Sequence, residues 1–363
     1  MSNKILILSG GTGGHVIPSI NFGNFLIERG YDCSLMLDER GLKYSKIFNG
    51  KIYIIKSSHF SGNFFFKIKS IMNLLIGLIQ SLILIIKIKP NKCLSFGSYA
   101  TSMPLLVILF LKLFIKIKIY LHEQNSVIGK VNLLFLPYAV YIFTNFDSIK
   151  NLQKEDLNKK YYVGLPSDVK KSSNTKIFNK TKDKKIIFIY GGSQGSVPLI
   201  NKFLLLLKDL DHNYYKNIKL IIQSPQKIFY NLRENLKKLN IDFEISEFYN
   251  NVEKILSKTN FAFTRAGSGT INDLIQYNVP AMIMPLPHSI YNHQYYNAKY
   301  LSDINGAILV DEVDFNINNN ANILKKLISD NHLEITMKKV LNKIILPNAN
   351  QSILTKMFYE KNK

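Results

Sequence analysis

The hydrophobic and polar positions of the chain fall into two tandem blocks of one design. Lys4–Leu8 (KILIL) is a short continuous apolar run, which predicts a buried strand. It leads into SGGTGGHVIPS and then a helix-like stretch around Asn21–Glu28. About half the chain later the same order returns: the apolar run Lys185–Tyr190 (KIIFIY), the turn GGSQGSVPLIN, and a helical Phe203–Leu207. Strand, glycine-rich turn and helix open a Rossmann-like unit. The pattern therefore predicts two α/β domains with parallel sheets, and the 363 residues suit two domains of about 100–200 each. Lys170–Lys185 is rich in Lys, Ser, Asn and Thr, which predicts an exposed linker and a boundary near Gly164–Ser167.

Asn63–Pro90 breaks this rhythm. Ser70–Ile86 runs 17 residues without a charge, at the short edge of a membrane span. Within it Ser70, Asn73, Gly77 and Gln80, followed by Lys87, recur mostly every three or four residues as a thin polar stripe, and Lys67, Lys69, Lys87 and Lys89 flank it. A wide apolar face with basic ends fits a helix lying on an anionic bilayer. A buried crossover helix and a true span are the alternatives. Met103–Leu111, followed by Lys112, Lys116 and Lys118, either extends the same face or forms the next crossover helix.

Composition changes the picture in three ways. Apolar residues at 47% and charged residues at 20% exclude a disordered chain. Two cysteines, Cys33 and Cys93, exclude a disulfide scaffold, and no Cys/His spacing suggests a metal cage. Lys and Arg number 47 against 25 Asp and Glu, a net charge of +22 that attracts polyanions or an anionic membrane surface. Part of that excess is compositional, since Lys, Asn and Ile are abundant throughout and Trp is absent. No aromatic-and-basic recognition motif accompanies it, so nucleic acid is not an expected partner. The N-terminal apolar run is too short for a secretory signal, which predicts the cytosol.

Candidate chemistry lies where apolar runs end. In Gly10-Gly11-Thr12-Gly13-Gly14-His15, backbone N–H groups can approach an anion at a helix N-terminus. The histidine after it can take a proton near neutral pH, or cap the loop. Phe96-Gly97-Ser98-Tyr99 and His122-Glu123-Gln124-Asn125 also follow apolar runs, at the sheet edge where open α/β folds bind ligands. Gly191-Gly192-Ser193-Gln194-Gly195 is a second anion cradle. Arg265-Ala266-Gly267-Ser268-Gly269-Thr270-Ile271-Asn272-Asp273 is a third, with Asp273 placed to take a ribose diol. His288 and Asn292-His293-Gln294 offer amides and imidazoles suited to sugar hydroxyls. Asp209-Leu210-Asp211 ends a helix-like run and is not read as a metal pair; with helix N-termini to hold a diphosphate, no cofactor or metal is required.

Taken in order, these segments resemble the MurG family of peptidoglycan N-acetylglucosaminyltransferases. The likeness rests on GGTGGHVIP (10–18), FGSY (96–99), HEQNSVIGKVN (122–132), GGSQGS (191–196), EFYNNV (247–252), RAGSGTINDL (265–274), VPAMIMP (279–285) and NHQYYNA (292–298). It implies a GT-B fold, two Rossmann-like domains facing across a cleft. The domains would be 1–163, binding acceptor and membrane, and 164–344, binding UDP-GlcNAc, with a helix in 345–363 crossing back to the first. By the resemblance, GlcNAc passes from UDP-GlcNAc to the 4-hydroxyl of an undecaprenyl-diphosphate-linked MurNAc-pentapeptide with inversion, on the cytoplasmic face of the inner membrane.

The resemblance also assigns residues. Thr12, Gly13, Gly14 and Asn125 would reach the donor from the first domain. Ser193 would bond the diphosphate, and Tyr249 would mark the backbone that reads uracil. Ser268, Gly269, Thr270, Ile271, Asn272 and Asp273 would hold phosphate and ribose, and His293 and Gln294 the GlcNAc hydroxyls. His15 is the first candidate for general base and Glu123 the second, unless Glu123 ties its own loop. Three departures stand out. Asp273 replaces the family's usual Glu; Gly164–Asp168 lacks the Arg expected to meet the diphosphate; and Ser98–Pro104 is one residue longer than usual. A glycolipid synthase of the same fold and a non-catalytic membrane protein are the rival readings.

Overall fold

The computed structural model describes residues 4–58, 64–167, 184–192 and 195–359, with the side chains of 64–66 not described. The chain divides into two compact units, Met1–Val169 with Pro347–Lys363, and Lys170–Leu346. The sequence-based boundary at 163/164 thus falls a few residues early. Gly164 packs against Pro347, and Asn350 Nδ2 donates to the Ser167 carbonyl, so the 164–167 stretch stays with the first unit. The proposed linker residues 168–183 lie outside the described residues.

The first unit holds a seven-stranded parallel sheet: β1 (Lys4–Leu8), β2 (Asp32–Asp38), β3 (Lys51–Ile55), β4 (Lys92–Ser95), β5 (Lys118–Glu123), β6 (Tyr141–Thr144) and β7 (Lys160–Tyr162), in the order β3-β2-β1-β4-β5-β6-β7. The second holds six parallel strands: β8 (Lys185–Tyr190), β9 (Ile218–Gln223), β10 (Asp242–Ser246), β11 (Phe261–Thr264), β12 (Ala281–Ile283) and β13 (Ile308–Leu309), in the order β10-β9-β8-β11-β12-β13. The two orders are the same winding counted from each unit's first strand. They are those of a doubly wound Rossmann sheet, whose strand order reverses beside the first strand. Central strands such as Ile5–Leu8 and Ile187–Ile189 are buried on both faces. Continuous apolar runs rather than alternation are what a parallel sheet covered by helices requires.

The helix Ala349–Phe358 belongs to the first unit. It buries Ile353, Leu354 and Met357 in a core shared with Ile5, Phe22, Tyr120 and Val163, and the Tyr120 hydroxyl donates to the Met357 carbonyl.

The helix Phe64–Ile88 turns part of its polar stripe to the protein: Gln80 Oε1 accepts from Lys56 N at 2.8 Å, and Ser58 Oγ donates to Ser70 Oγ at 2.9 Å. A Cβ on Gly77 would lie 2.1 Å from the Lys56 carbonyl oxygen, so only glycine permits this approach. Outward it presents Ile71, Met72, Leu75, Ile76, Ile79, Ile83 and Ile86, each more than 40% exposed. Leu106 and Phe110 on the neighbouring helix Ser102–Leu111, with Leu113 and Phe114 just beyond it, are exposed as well. Lys67, Lys69, Lys87 and Lys89 are exposed at its ends. Over Lys67–Ile88 the mean hydropathy reaches 2.2 with 22% of that stretch buried. Ser70, Gly77 and Gln80 of the stripe therefore lie on the seam that packs on the fold, beside buried Ile85 and Ile88, whereas Lys87 is exposed.

Candidate active site

In each unit the loops flanking the strand-order reversal are pinned together by one side chain. After β1, Gly11 takes φ +78°, and the helix Gly13–Ile27 begins at Thr12, whose side chain makes no cap. The first-turn N–H groups are thus left without a side-chain acceptor, a seat for an anion. Thr12 and Gly14 are exposed, whereas Gly13 is buried, and a Cβ there would come 3.2 Å from the Tyr44 ring. From that first turn half-buried His15 reaches across to the loop after β4, its Nδ1 lying 2.8 Å from the Phe96 carbonyl oxygen. A carbonyl only accepts, so Nδ1 carries the proton and Nε2 keeps the lone pair. In the second unit Arg265, after β11, donates to Ser196 Oγ, after β8, from Nε at 3.2 Å and Nη2 at 3.0 Å.

The His122–Asn125 cluster divides on inspection. His122 is fully buried; it takes a hydrogen bond from Gln124 on Nδ1, donates from Nε2 to the Gly164 carbonyl and stacks on Phe96. Burial pushes its pKa down to about 4, so it stays neutral. Glu123, 2% exposed, accepts from Asn125 N (3.0 Å) and Nδ2 (3.3 Å) on Oε1, and from Gly129 N and Asn132 Nδ2 (both 2.9 Å) on Oε2. Four donors occupy both oxygens, which corrects its candidacy as base: the carboxylate ties the 122–132 loop. Half-buried Asn125 is the member of the cluster left at the surface.

Ser98 takes φ +79°, unusual for a non-glycine residue, and its Oγ accepts from Ala100 N as the chain turns into the helix Ser102–Leu111.

In the second unit the helix Ser268–Gln276 begins at Gly267, which has no side chain to cap it. A Cβ on Gly269 would meet nothing within 4 Å, so its first turn opens onto free space. Ser268, Thr270, Ile271 and Asn272 are buried. Ile271 and Asn272 can therefore serve a ligand through their backbone. Asp273 is partly buried, and among the described residues its carboxylate has no hydrogen-bond partner. Burial first, and the Glu253 charge second, push its pKa up to about 7.

Gln294 Oε1 accepts from Leu286 N (2.9 Å) and Ala266 N (3.3 Å), which turns its amide NH₂ away from both loops. His293 Nδ1 lies 2.8 Å from the Ile290 carbonyl oxygen and leaves Nε2 available. Tyr249 is half-buried, its ring edge-on to Phe188 and its hydroxyl on the Ile222 carbonyl, so its side chain anchors the 247–250 backbone. Ser193, Asp168, Lys170 and Lys171 lie outside the described residues.

Two roles escaped the sequence reading: that of Asp38, and that of Arg265, which was placed only at the head of the third cradle. Arg265 is 4% exposed and, besides Ser196, its Nη1 donates to the Met284 and Pro285 carbonyls and to Glu312. One guanidinium thus knits the loops after β8, β11, β12 and β13. Asp38, at the end of β2, binds the first glycine loop through Gly11 N at 2.8 Å. Its signal was present: an acidic residue closing the second apolar run after a glycine-rich turn.

The glycosyltransferase family 28 N-terminal domain matches residues 5–144, and the family's C-terminal domain matches 186–352. The chain belongs to glycosyltransferase family 28. A Rickettsia canadensis (strain McKiel) protein is 32% identical over 336 residues, 90% of this chain and 91% of that one. One from Rickettsia africae (strain ESF-5) is 30% identical over 381 residues, covering 97% and 95%. Both are named UDP-N-acetylglucosamine–N-acetylmuramyl-(pentapeptide) pyrophosphoryl-undecaprenol N-acetylglucosamine transferase. Among solved structures, Acinetobacter baumannii MurG superposes with a TM-score of 0.77 at 21% identity, over 97% of this chain and 98% of that one. S. aureus MnaA, solved with UDP, gives 0.67 at 16%, over 98% and 96%. The family thus spans both units, and the two structures share the fold.

Proposed function

We propose that the protein transfers N-acetylglucosamine from UDP-GlcNAc to the 4-hydroxyl of undecaprenyl-diphosphate-linked MurNAc-pentapeptide; its Rickettsia relatives are named for the donor and this lipid-linked acceptor, and the 4-hydroxyl is our reading. The observation that carries the reading is His15: a half-buried imidazole on the first turn of an uncapped helix, with Nδ1 held by a carbonyl and Nε2 left as a lone-pair base. The acceptor O4 gives its proton to Nε2 as O4 bonds the anomeric carbon. The bond from that carbon to the phosphate oxygen breaks in the same step, with inversion, and UDP leaves with the electron pair. The growing charge on UDP is met by first-turn N–H groups of the Ser268–Gln276 helix, donors already oriented before reaction. Asp273 takes the ribose diol, the outward amide of Gln294 and Nε2 of His293 take GlcNAc hydroxyls, and the 247–250 backbone reads the base.

On this reading the first unit binds acceptor and membrane, and the second binds the donor. The outward apolar face of Phe64–Ile88, its lysine-bearing ends and the neighbouring Phe110 and Phe114 support peripheral attachment to an anionic, cytoplasmic membrane face. An acceptor anchored by a polyprenyl chain stays in the bilayer, so the enzyme must work there. Turnover of UDP-GlcNAc with the lipid acceptor tests the reading. His15→Ala should lower kcat by about 10²–10⁴-fold while donor affinity stays near normal. Near-normal turnover at saturating substrates would remove His15 as the base.

A further inference from the structure

We infer that Asp38 is a positioning residue for the transfer, holding the first glycine loop, and through it the turn that carries His15, in the reactive arrangement. The inference rests on the reading above and adds a residue that none of the shared motifs contains. The Asp38 carboxylate is 2% exposed and collects donors from three strand-end segments. Oδ1 accepts from Gly11 N (2.8 Å) and Gly41 N (3.1 Å); Oδ2 accepts from Arg40 Nε (2.6 Å) and Ser57 Oγ (3.1 Å). The loop lies directly on it: a Cβ at Gly10 would come 2.8 Å from Oδ1 and 2.5 Å from the Ala100 Cβ.

The orientation matters more than the packing. Turning the Gly11 N–H inward onto a buried carboxylate lets the following residues enter the helix at Thr12, whose carbonyl accepts from both His15 N and Val16 N. Burial pushes the Asp38 pKa up, but Gly11, Arg40 and Ser57 more than offset it, so the carboxylate remains charged. The Arg40 guanidinium partly neutralises that charge beside a loop meant for an anionic ligand. Ser57 links the clamp to the Lys56–Ser58 segment, which the Phe64–Ile88 helix grips through Gln80 and Ser70.

The test is a double-mutant cycle of Asp38→Asn with His15→Ala, read as steady-state kinetics with UDP-GlcNAc and a lipid acceptor. Asp38→Asn keeps the volume but sets an amide donor against N–H groups. The expected result is a fall in kcat of about 10- to 100-fold, since small misplacements of reacting groups cost this much, with a smaller rise in the KM for UDP-GlcNAc because the same loop carries Thr12, Gly13 and Gly14. In the His15→Ala background the same substitution should change kcat less than about twofold, because residues acting as one unit are non-additive. Full multiplicative loss in both backgrounds, or a donor KM that rises as much as kcat falls, would overturn the inference. Should His15→Ala alone retain turnover, the base assignment fails; a loss mainly in kcat in Asp38→Asn would still uphold the clamp on the glycine loop. Ser57→Ala, which removes one donor, guards against misfolding: a smaller loss, mainly in kcat, supports the clamp, and an unchanged kcat counts against it.

Discussion

Gln294 shows how the structure refines a residue's test. Its carbonyl oxygen already ties two loops, so alanine would remove both the tie and the proposed sugar contact. Gln294→Glu keeps an acceptor for Ala266 N and Leu286 N and replaces the outward amide with an oxygen. Calorimetry should show UDP-GlcNAc binding weakened by about 0.5–1.5 kcal/mol and UDP binding unchanged. Equal losses for both ligands would remove Gln294 from the sugar site. Asp273 makes a pH prediction. Its pKa is raised to about 7, and the ionised form is the one that accepts two ribose hydroxyls. UDP-GlcNAc, whose phosphates carry no proton near neutrality, should bind more tightly as pH rises from 6 to 8, and Asp273→Asn should bind weakly with a flat profile. Linkage gives the companion sign. A carboxyl with a raised folded pKa costs the free protein stability as pH climbs from about 4 to 7, so Asp273→Asn should melt higher than the parent at pH 8.

At the scale of an element, the Phe64–Ile88 helix turns Ser70, Gly77 and Gln80 inward beside buried Ile85 and Ile88 and leaves Ile71, Ile76, Ile79, Ile83 and Ile86 outward. Two substitutions on one helix should therefore behave oppositely. Gly77→Ala drives a methyl into the Lys56 carbonyl and should cost about 1–3 kcal/mol in urea unfolding. Leu75→Ser with Ile79→Ser, on the exposed side, should leave stability within about 0.5 kcal/mol per site yet release the protein from phosphatidylglycerol vesicles. Glutamates at Lys67, Lys69, Lys87 and Lys89 should release it too, and high salt should weaken what the lysines contribute. Unchanged co-sedimentation of both variants would return the helix to a role within the fold.

Across the whole molecule, the last helix closes the first unit from a distant point in the chain. Ile353 is fully buried beside Val163 and Tyr120, so Ile353→Ala should cost that unit about 2–5 kcal/mol. The Lys170–Leu346 unit has its own core, so calorimetric affinity for UDP should be preserved. A matching loss of UDP affinity would mean that donor binding depends on the first unit's stability.

How much of this was legible beforehand follows from the range of the forces involved. Strands KILIL and KIIFIY, the glycine turns after them and the doubling of the unit are local: apolar runs with a positive-φ glycine state their own structure, and their order states the family. Which polar group faces a ligand is not local. His122 and Glu123 look like site residues in the chain, and only the packing of Phe96, Gly129, Asn132 and Gly164 around them turns both inward. Asp38 stands outside every motif and Arg265 only heads one, and neither has a role until its partner, 27 and 69 residues distant at Gly11 and Ser196, arrives by folding. The amphipathic period of Phe64–Ile88 fixed which residues share a face. Which face the protein keeps was decided only by folding: Ile85 and Ile88 enter the core, Gly77 and Gln80 meet the Lys56 backbone that no local pattern announces, and the buried polar groups find partners there, so the remaining apolar face is left outward.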